Sequence, residues 1–131
     1  MEHTKYEELL EIVKRNNSVY EELITSYNKT NLNILDFEKK NKVNSTKNLI
    51  EYIDFLKKES ERKKFDRWQH IHNYATEIQD FILNNWSDLN YFDVSILDLV
   101  PYTVYAKLTD KTVRIIKTIY QKGYLQLQIK Y

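Results

Sequence analysis

The spacing of apolar residues constrains the fold most. Over the first 86 residues it has the period of an α-helix, and after residue 86 this pattern changes. From Thr4 to about Thr30, apolar side chains recur three and four residues apart, which predicts an amphipathic helix. Thr4 with Glu7 forms a capping box that marks the start of this helix. Ser18 with Glu21 forms a second capping box, which favours a break of the helix at Ser18.

The apolar stripe of this first region has two interpretations. Asn17 stands where a coiled coil places a polar residue that sets the register, so a homodimer through the N-terminal helices is one alternative. The stripe is short for a dimerising coiled coil, and stripes of this kind usually pack inside their own chain. We therefore expect it to pack on the chain's own helices.

The middle of the chain predicts further helices separated by polar segments. Residues 39–46 are almost entirely polar and predict a loop. A second helix starts near Thr46 and reaches residues 57–64, which contain no apolar residue. Either the helix crosses solvent there, held by Glu and Lys pairs, or Ser60 caps a new helix. The next apolar face begins at Trp68 and ends around residues 84–85, so three to five helices fill residues 1–86.

The character of the chain changes after Trp86. Pro101 excludes a continuous helix, and the last thirty residues are rich in Tyr, Thr, Val and Ile. Apolar residues alternate there with period two, and turn-like segments lie at residues 109–111 and 121–123. The pattern predicts a small antiparallel β-meander, and with it an α+β protein: a helical region 1–86 and a β-rich region 87–131 packed on it as one domain. The alternative is a helix over residues 110–122 that stops at Gly123.

Composition excludes several classes of site. One Gly and no Cys in 131 residues remove glycine-rich phosphate loops, disulfide frameworks and thiolate metal sites. His70 and His72 are two residues apart and point to opposite sides of a helix, while Asp66 and His70 have suitable spacing but no third ligand. We therefore predict no metal and no small-molecule cofactor.

Apolar runs are also short compared with the roughly 18 to 20 residues that span a bilayer, and the N-terminal stretch does not resemble a signal peptide. The expectation is a cytoplasmic protein that does not enter a membrane.

Charge is distributed unevenly along a chain whose net charge is +1. Residues 101–131 hold six cations and one carboxylate, hence +5, which leaves −4 for the first hundred residues. On the predicted sheet, cations and tyrosines interleave on one face, and such a face suits either stacked nucleic-acid bases or the centre of a protein interface. The predicted binding residues are Tyr105, Lys107, Arg114, Lys117, Tyr120, Tyr124 and Lys130.

These features predict a binding protein rather than an enzyme. The specific hypothesis is a small regulator or inhibitor that binds a nucleic acid or a nucleic-acid-processing protein complex through its C-terminal face. Small size and the lack of enzyme motifs suggest that a phage or another mobile element encodes it.

One segment carries an enzymatic alternative. Arg67, His72 and Tyr74 follow the spacing R-x4-H-x-Y, which resembles the signature of HEPN ribonucleases, a group of small helical proteins. The resemblance implies that His72 transfers a proton at an RNA 2′-hydroxyl, that Arg67 stabilises the phosphate charge and that Tyr74 supports the pair. It implies RNA cleavage without a metal.

A second resemblance covers about forty C-terminal residues. If residues 110–122 are helical, this helix and the following Tyr124 to Lys130 resemble the recognition helix and first wing strand of a winged-helix domain. The resemblance implies a DNA-binding regulator in which Lys111, Arg114 and Lys117 face the duplex.

Overall fold

The computed structural model describes residues 4–40 and 47–129, and the side chains of all of these except residue 48 and residues 124–129. Every regular element within these ranges is a helix. The α-helices are α1 (Lys5–Lys40), α2 (Lys47–Asn85), α3 (Tyr91–Val94), α4 (Tyr102–Tyr105) and α5 (Asp110–Ile129). Two 3₁₀-helices, Trp86–Asp88 and Ser95–Leu99, connect α2, α3 and the segment before α4.

The predicted β-meander, and with it the α+β class, is wrong: the described part of residues 87–131 contains no strand. Thr109 and Asp110 begin a helix instead of forming a turn. The Thr109 hydroxyl accepts a hydrogen bond from the Thr112 amide at 3.4 Å, and Asp110 places a negative charge in the first turn of α5. Strand propensity of Val, Ile and Thr is weak compared with packing, and the packing here follows a helical period.

The helical alternative for residues 110–122 is confirmed, but α5 does not stop at Gly123 and continues to Ile129. The wing strand predicted from Tyr124 is therefore also wrong, and Lys130 lies outside the described residues. Gly123 is buried where α5 passes Tyr91. A Cβ at position 123 would lie 2.6 Å and 2.7 Å from Cγ and Cδ2 of Tyr91, so this glycine permits a close approach rather than a helix end.

The two long helices agree with the apolar pattern except at Ser18. The Glu7 amide donates to the Thr4 hydroxyl at 3.1 Å, which confirms the predicted start of α1. The break at Ser18 is wrong, because α1 continues to Lys40. Residues 57–64 are helical throughout, so α2 crosses this polar stretch unbroken, with Arg62 paired to Glu59 at 2.8 Å. The predicted loop at residues 39–46 is wrong at Lys39 and Lys40, which belong to α1, and its other residues, 41–46, lie outside the described residues.

The chain divides into two compact units, and α1 and α2 each contribute to both. Unit 1 comprises Met1–Ser18 and Ile71–Tyr131, and unit 2 comprises Val19–His70. These division points differ from the region boundary at residue 86 used above.

Unit 1 contains the apolar core. The start of α1, the second half of α2, the short helices and α5 all contribute fully or nearly fully buried side chains. Those of α5 recur at helical spacing as Thr112, Ile116, Ile119 and Gly123. The buried apolar side chains of the unit are Leu9, Val13, Ile71, Tyr74, Ala75, Ile78, Ile82, Leu89, Val94, Ile96, Leu97, Val100, Val104, Leu108, Ile116 and Ile119.

Two adjacent asparagines of α1 supply polar bonds within unit 1. The Asn16 amide donates to the Glu77 carboxylate at 3.0 Å, and Glu77 also pairs with Arg15. The Asn17 amide donates to the Leu99 carbonyl at 3.0 Å, while its oxygen accepts from the Tyr74 hydroxyl at 2.7 Å. Asn17 therefore joins α1, α2 and the end of the second 3₁₀-helix, and both polar atoms of its side chain form hydrogen bonds within unit 1.

Unit 2 pairs the second part of α1 with the first part of α2, and the two helices run antiparallel. Contacts formed by later residues of α1 involve earlier residues of α2: Arg67 lies over the Tyr27 ring, Lys63 donates to Thr30 at 2.7 Å, and Phe37 packs on Tyr52. Ser60 also donates to the Asn31 side chain at 2.6 Å. The described side chains of this unit include one buried residue, Thr30, and no buried apolar one.

Candidate binding groove

A groove of about 610 Å³ lies in unit 1 between α5 and the segment from Trp86 to Tyr91. Its position follows from the chain: α2 ends at Asn85, and the connection turns back through a 3₁₀-helix to α3, which packs on α5 at Gly123. The residues that line it are Trp86, Ser87, Leu89, Asn90, Tyr91, Asp110, Lys111, Arg114, Ile115, Thr118, Ile119, Lys122 and Gly123.

The apolar part of the groove is both aliphatic and aromatic. Leu89 and Ile119 are almost fully buried beneath it, and Ile115 is half-buried. Trp86 is 56% exposed although it is the largest side chain of the lining. Large exposed aromatic side chains beside a concave apolar surface are typical of the anchoring centre of a binding site.

Three cations of the groove come from one helix. Lys111, Arg114 and Lys122 recur on one side of α5, with Thr118 completing the spacing of three, four and four residues. Over eleven residues, the helical rise places the first and last of them about 16 Å apart along the axis. All three are exposed, and none forms an ion pair with another described residue. Asp110 is the one carboxylate among the described lining residues, so the groove is net positive.

Tyr91 is held in place within the groove wall. Its ring meets the Tyr120 ring edge-on at 5.3 Å between centroids, and Gly123 allows α5 to pass directly over its Cβ. The Tyr120 hydroxyl donates to the Val94 carbonyl at 3.0 Å. Burial, reinforced by the Asp98 carboxylate and by Tyr105 and Tyr91, raises the pKa of Tyr120 to about 12. Tyr120 therefore supports the groove from behind.

The predicted binding residues are divided among different places. Arg114 lines the groove, whereas Lys107 and Lys117 are exposed outside the lining. Tyr105 and Tyr120 line a smaller cavity of about 250 Å³ beside Leu97 and Tyr102, and burial raises the pKa of Tyr105. The side chains of Tyr124 and Lys130 lie outside the described residues.

The three residues of the HEPN-like motif have separate environments. The Arg67 guanidinium lies 5.3 Å from the centre of the Tyr27 ring in unit 2. In unit 1, Tyr74 is fully buried, with its hydroxyl bonded to Asn17, and His72 is half-buried. Burial, reinforced by the Glu77 carboxylate, raises the pKa of Tyr74 above its ordinary value. Tyr74 thus holds α2 to α1.

Sequence reasoning missed Trp86 and Lys122 as site residues, and it assigned Lys111 only through the winged-helix resemblance. The signal that could have found Lys122 is the spacing of Lys111, Arg114 and Lys122, which follows a helical period and not a period of two. Trp86 carried no such signal, because its exposure depends on where the chain turns after Asn85.

Among residues 4–40 and 47–129, no three or more His, Asp or Glu side chains come together in a group that could hold a metal ion. No helix in this part of the chain is both long enough and apolar enough to cross a membrane. Comparison with protein-family models, with curated proteins and with solved structures gives no match.

Proposed function

We propose that this chain is a small binding protein that holds an anionic partner in the groove of unit 1. The partner is a nucleic acid or a nucleic-acid-processing protein complex, and the chain acts as a regulator or inhibitor by binding it. The observation that carries the proposal is the row of Lys111, Arg114 and Lys122 beside the exposed Trp86. The binding face is therefore the groove side of α5 instead of the face of a sheet.

Electrostatics and apolar contact have different roles in such a groove. Three exposed cations attract an anionic partner and set its orientation, but exposed charges add little affinity by themselves. Trp86 and the aliphatic residues beneath it bury apolar surface of the partner, which supplies the larger part of the binding energy. A ligand of this site therefore needs both negative charge and an apolar part.

Charge reversal at Arg114 and Lys122 tests the assignment, with Lys117→Glu as the matched control. Lys117 lies on the same helix and is exposed, but it does not line the groove. Each protein is used for affinity capture from lysate and for retention of labelled single-stranded DNA, duplex DNA and total RNA at two salt concentrations. We expect partner retention to fall at least about tenfold in the Arg114→Glu, Lys122→Glu double variant and to stay near wild type in the control. Equal retention by all three proteins would overturn the proposal.

In the same experiment, the change of nucleic-acid affinity with salt concentration measures how many phosphates the groove contacts. If the three cations neutralise three phosphates, a fourfold rise in salt should weaken binding about twentyfold for a single strand and about fortyfold for a duplex. The double variant should show a shallower dependence, because two of the three contacts are lost.

The ribonuclease hypothesis for Arg67, His72 and Tyr74 stays a prediction and is read from the same RNA samples. With EDTA present, RNA cleavage that disappears in His72→Ala would support it. Intact RNA in both samples would leave binding as the function.

A further inference from the structure

We infer that the groove of unit 1 takes an acidic amphipathic helix of a partner protein. Its acidic side lies against the cations of α5, and its apolar side lies on Trp86 and the half-buried Ile115, above the almost fully buried Leu89 and Ile119. The inference rests on the proposed function and names the class of partner. Three observations carry the inference: the difference in charge between the two walls, the spacing of the cations along α5 and the mainly aliphatic surface of the groove.

The two walls of the groove differ in charge. The α5 wall carries Lys111, Arg114 and Lys122 against the single carboxylate of Asp110. The wall from Trp86 to Tyr91 contributes no charged side chain to the described lining. A ligand that is anionic on one side and apolar on the other matches this difference. An amphipathic helix with acidic residues on one flank has that distribution, because its two faces are set by the spacing of its residues.

The cation row also matches a helix in length. Lys111 and Lys122 are about 16 Å apart along α5, which is the length of about three turns of a partner helix. Acidic residues three or four apart on that helix would meet successive cations, and apolar anchors at i, i+3 or i+4, and i+7 would follow the groove.

The apolar residues favour a peptide over a single-stranded nucleic acid. Base stacking uses several exposed aromatic faces in succession, whereas the described lining holds two exposed aromatic residues, Trp86 and Tyr91. The rest of its apolar surface is aliphatic and comes from Leu89, Ile115 and Ile119. Branched and aromatic side chains of a protein pack well on such a surface.

The test uses four fluorescein-labelled probes in anisotropy titrations at two salt concentrations. The first probe is a designed amphipathic helix of about 14 residues with Leu at the anchor spacing and Glu along one flank. The second has the same composition with the Leu positions scrambled. The third replaces each Glu with Lys, and the fourth is a thymidine oligonucleotide of about 12 nucleotides. Circular dichroism and thermal melts establish that each protein variant is folded.

We expect the first probe to bind and the other three to bind at least about tenfold more weakly. Trp86→Ala and Arg114→Glu should each weaken the first probe about tenfold or more, with Lys117→Glu close to wild type. In a Trp68→Phe protein, Trp86 is the remaining tryptophan, and its emission should change on binding of the first probe.

The outcomes separate the two proposals. If the oligonucleotide binds more tightly than the first probe and Arg114→Glu abolishes this, the groove binds nucleic acid, so the proposed function stands and the helical partner is overturned. Equal affinity for the scrambled peptide would overturn the amphipathic requirement. If none of the four probes binds, or if Lys117→Glu has the same effect as Arg114→Glu, both the inference and the groove assignment fail.

Discussion

Unit 1 and unit 2 are built from consecutive stretches of the same two helices, yet they differ in what they bury. Unit 1 holds all sixteen of the buried apolar side chains found among the described residues, and unit 2 holds none of them. In unit 2, eight large apolar side chains are at least 39% exposed: Val19, Leu32, Leu35, Ile50, Tyr52, Phe55, Phe65 and Trp68.

The difference follows from how many elements each unit brings together. Two paired helices leave the outer side of each helix exposed, whereas further elements cover these sides and enclose more of the apolar surface. Unit 1 has the short helices and α5 in addition to its parts of α1 and α2, so its apolar residues are enclosed. In unit 2 the described contacts are polar and aromatic pairs, each of which contributes little to stability.

The comparison is sharpest in a pair of large-to-small substitutions. Ile78→Ala removes a side chain that is 0% exposed in unit 1, and Leu35→Ala removes one that is 59% exposed in unit 2. We expect the first to lower the free energy of unfolding by about 2 to 5 kcal/mol, because it leaves a cavity. The second should change it by less than about 0.5 kcal/mol. Chemical denaturation of the two variants measures both, and equal effects would contradict the contrast between the units.

Gly123→Ala tests the close approach of α5 to Tyr91 in unit 1. On an exposed helix, this change would stabilise by about 1 kcal/mol. Here the new Cβ would overlap Tyr91 at atoms near its backbone, so a rotamer change does not relieve the clash. Overpacking costs about 1 to 3 kcal/mol, and we expect it to exceed the gain in helix propensity. A higher midpoint of thermal unfolding for Gly123→Ala than for wild type would show that Gly123 is not needed there.

Amide hydrogen exchange compares the two units within one helix. Residues 5–18 of α1 belong to unit 1 and residues 19–40 to unit 2. Because local stability follows the burial of apolar contacts, we expect the second stretch to exchange at least about tenfold faster, a difference of about 1.4 kcal/mol in opening free energy. Uniform protection along α1 would mean that the helix opens as one unit.

Alkaline pH should affect the tyrosines that unit 1 has enclosed. The folded-state pKa of Tyr120 is raised from 10.0 to about 12, so its stabilising contribution is complete below pH 10 and is lost as the pH rises toward 12. The free energy of unfolding should therefore decline over this window. The decline should be shallower in Tyr120→Phe than in the wild-type protein. Identical profiles in these two proteins would contradict the role given to Tyr120.

The helices of the first 86 residues could be predicted because their signals are local. Thr4 with Glu7 marks the start of α1, and the apolar spacing that begins near Trp68 continues to the observed end of α2 at Asn85. Ser18 shows the limit of local signals: its capping box has the right residues, but the helix continues because residues on both sides pack or bond within the units.

The C-terminal region could not be predicted from local signals. Its Val, Ile, Thr and Tyr residues satisfy a period of two in short windows and a helical period over Thr112, Ile116, Ile119 and Gly123. The sequence assigned Arg114, Tyr105 and Tyr120 to one binding surface, and of these Arg114 lines the groove. In the structure, Tyr120 is bonded behind the groove wall and Tyr105 lines another cavity.

The sequence by itself determined that the first 86 residues are mainly helical, that the C-terminal region is positive and that thiolate and glycine-loop sites are excluded, since each depends on residue type and short-range spacing. Only the tertiary structure decided that residues 110–129 form a helix, that Gly123 serves a close contact and that Trp86 stands beside the cations of α5. These features depend on residues distant in the chain, and their packing energies outweigh the small local preferences that a sequence pattern reports.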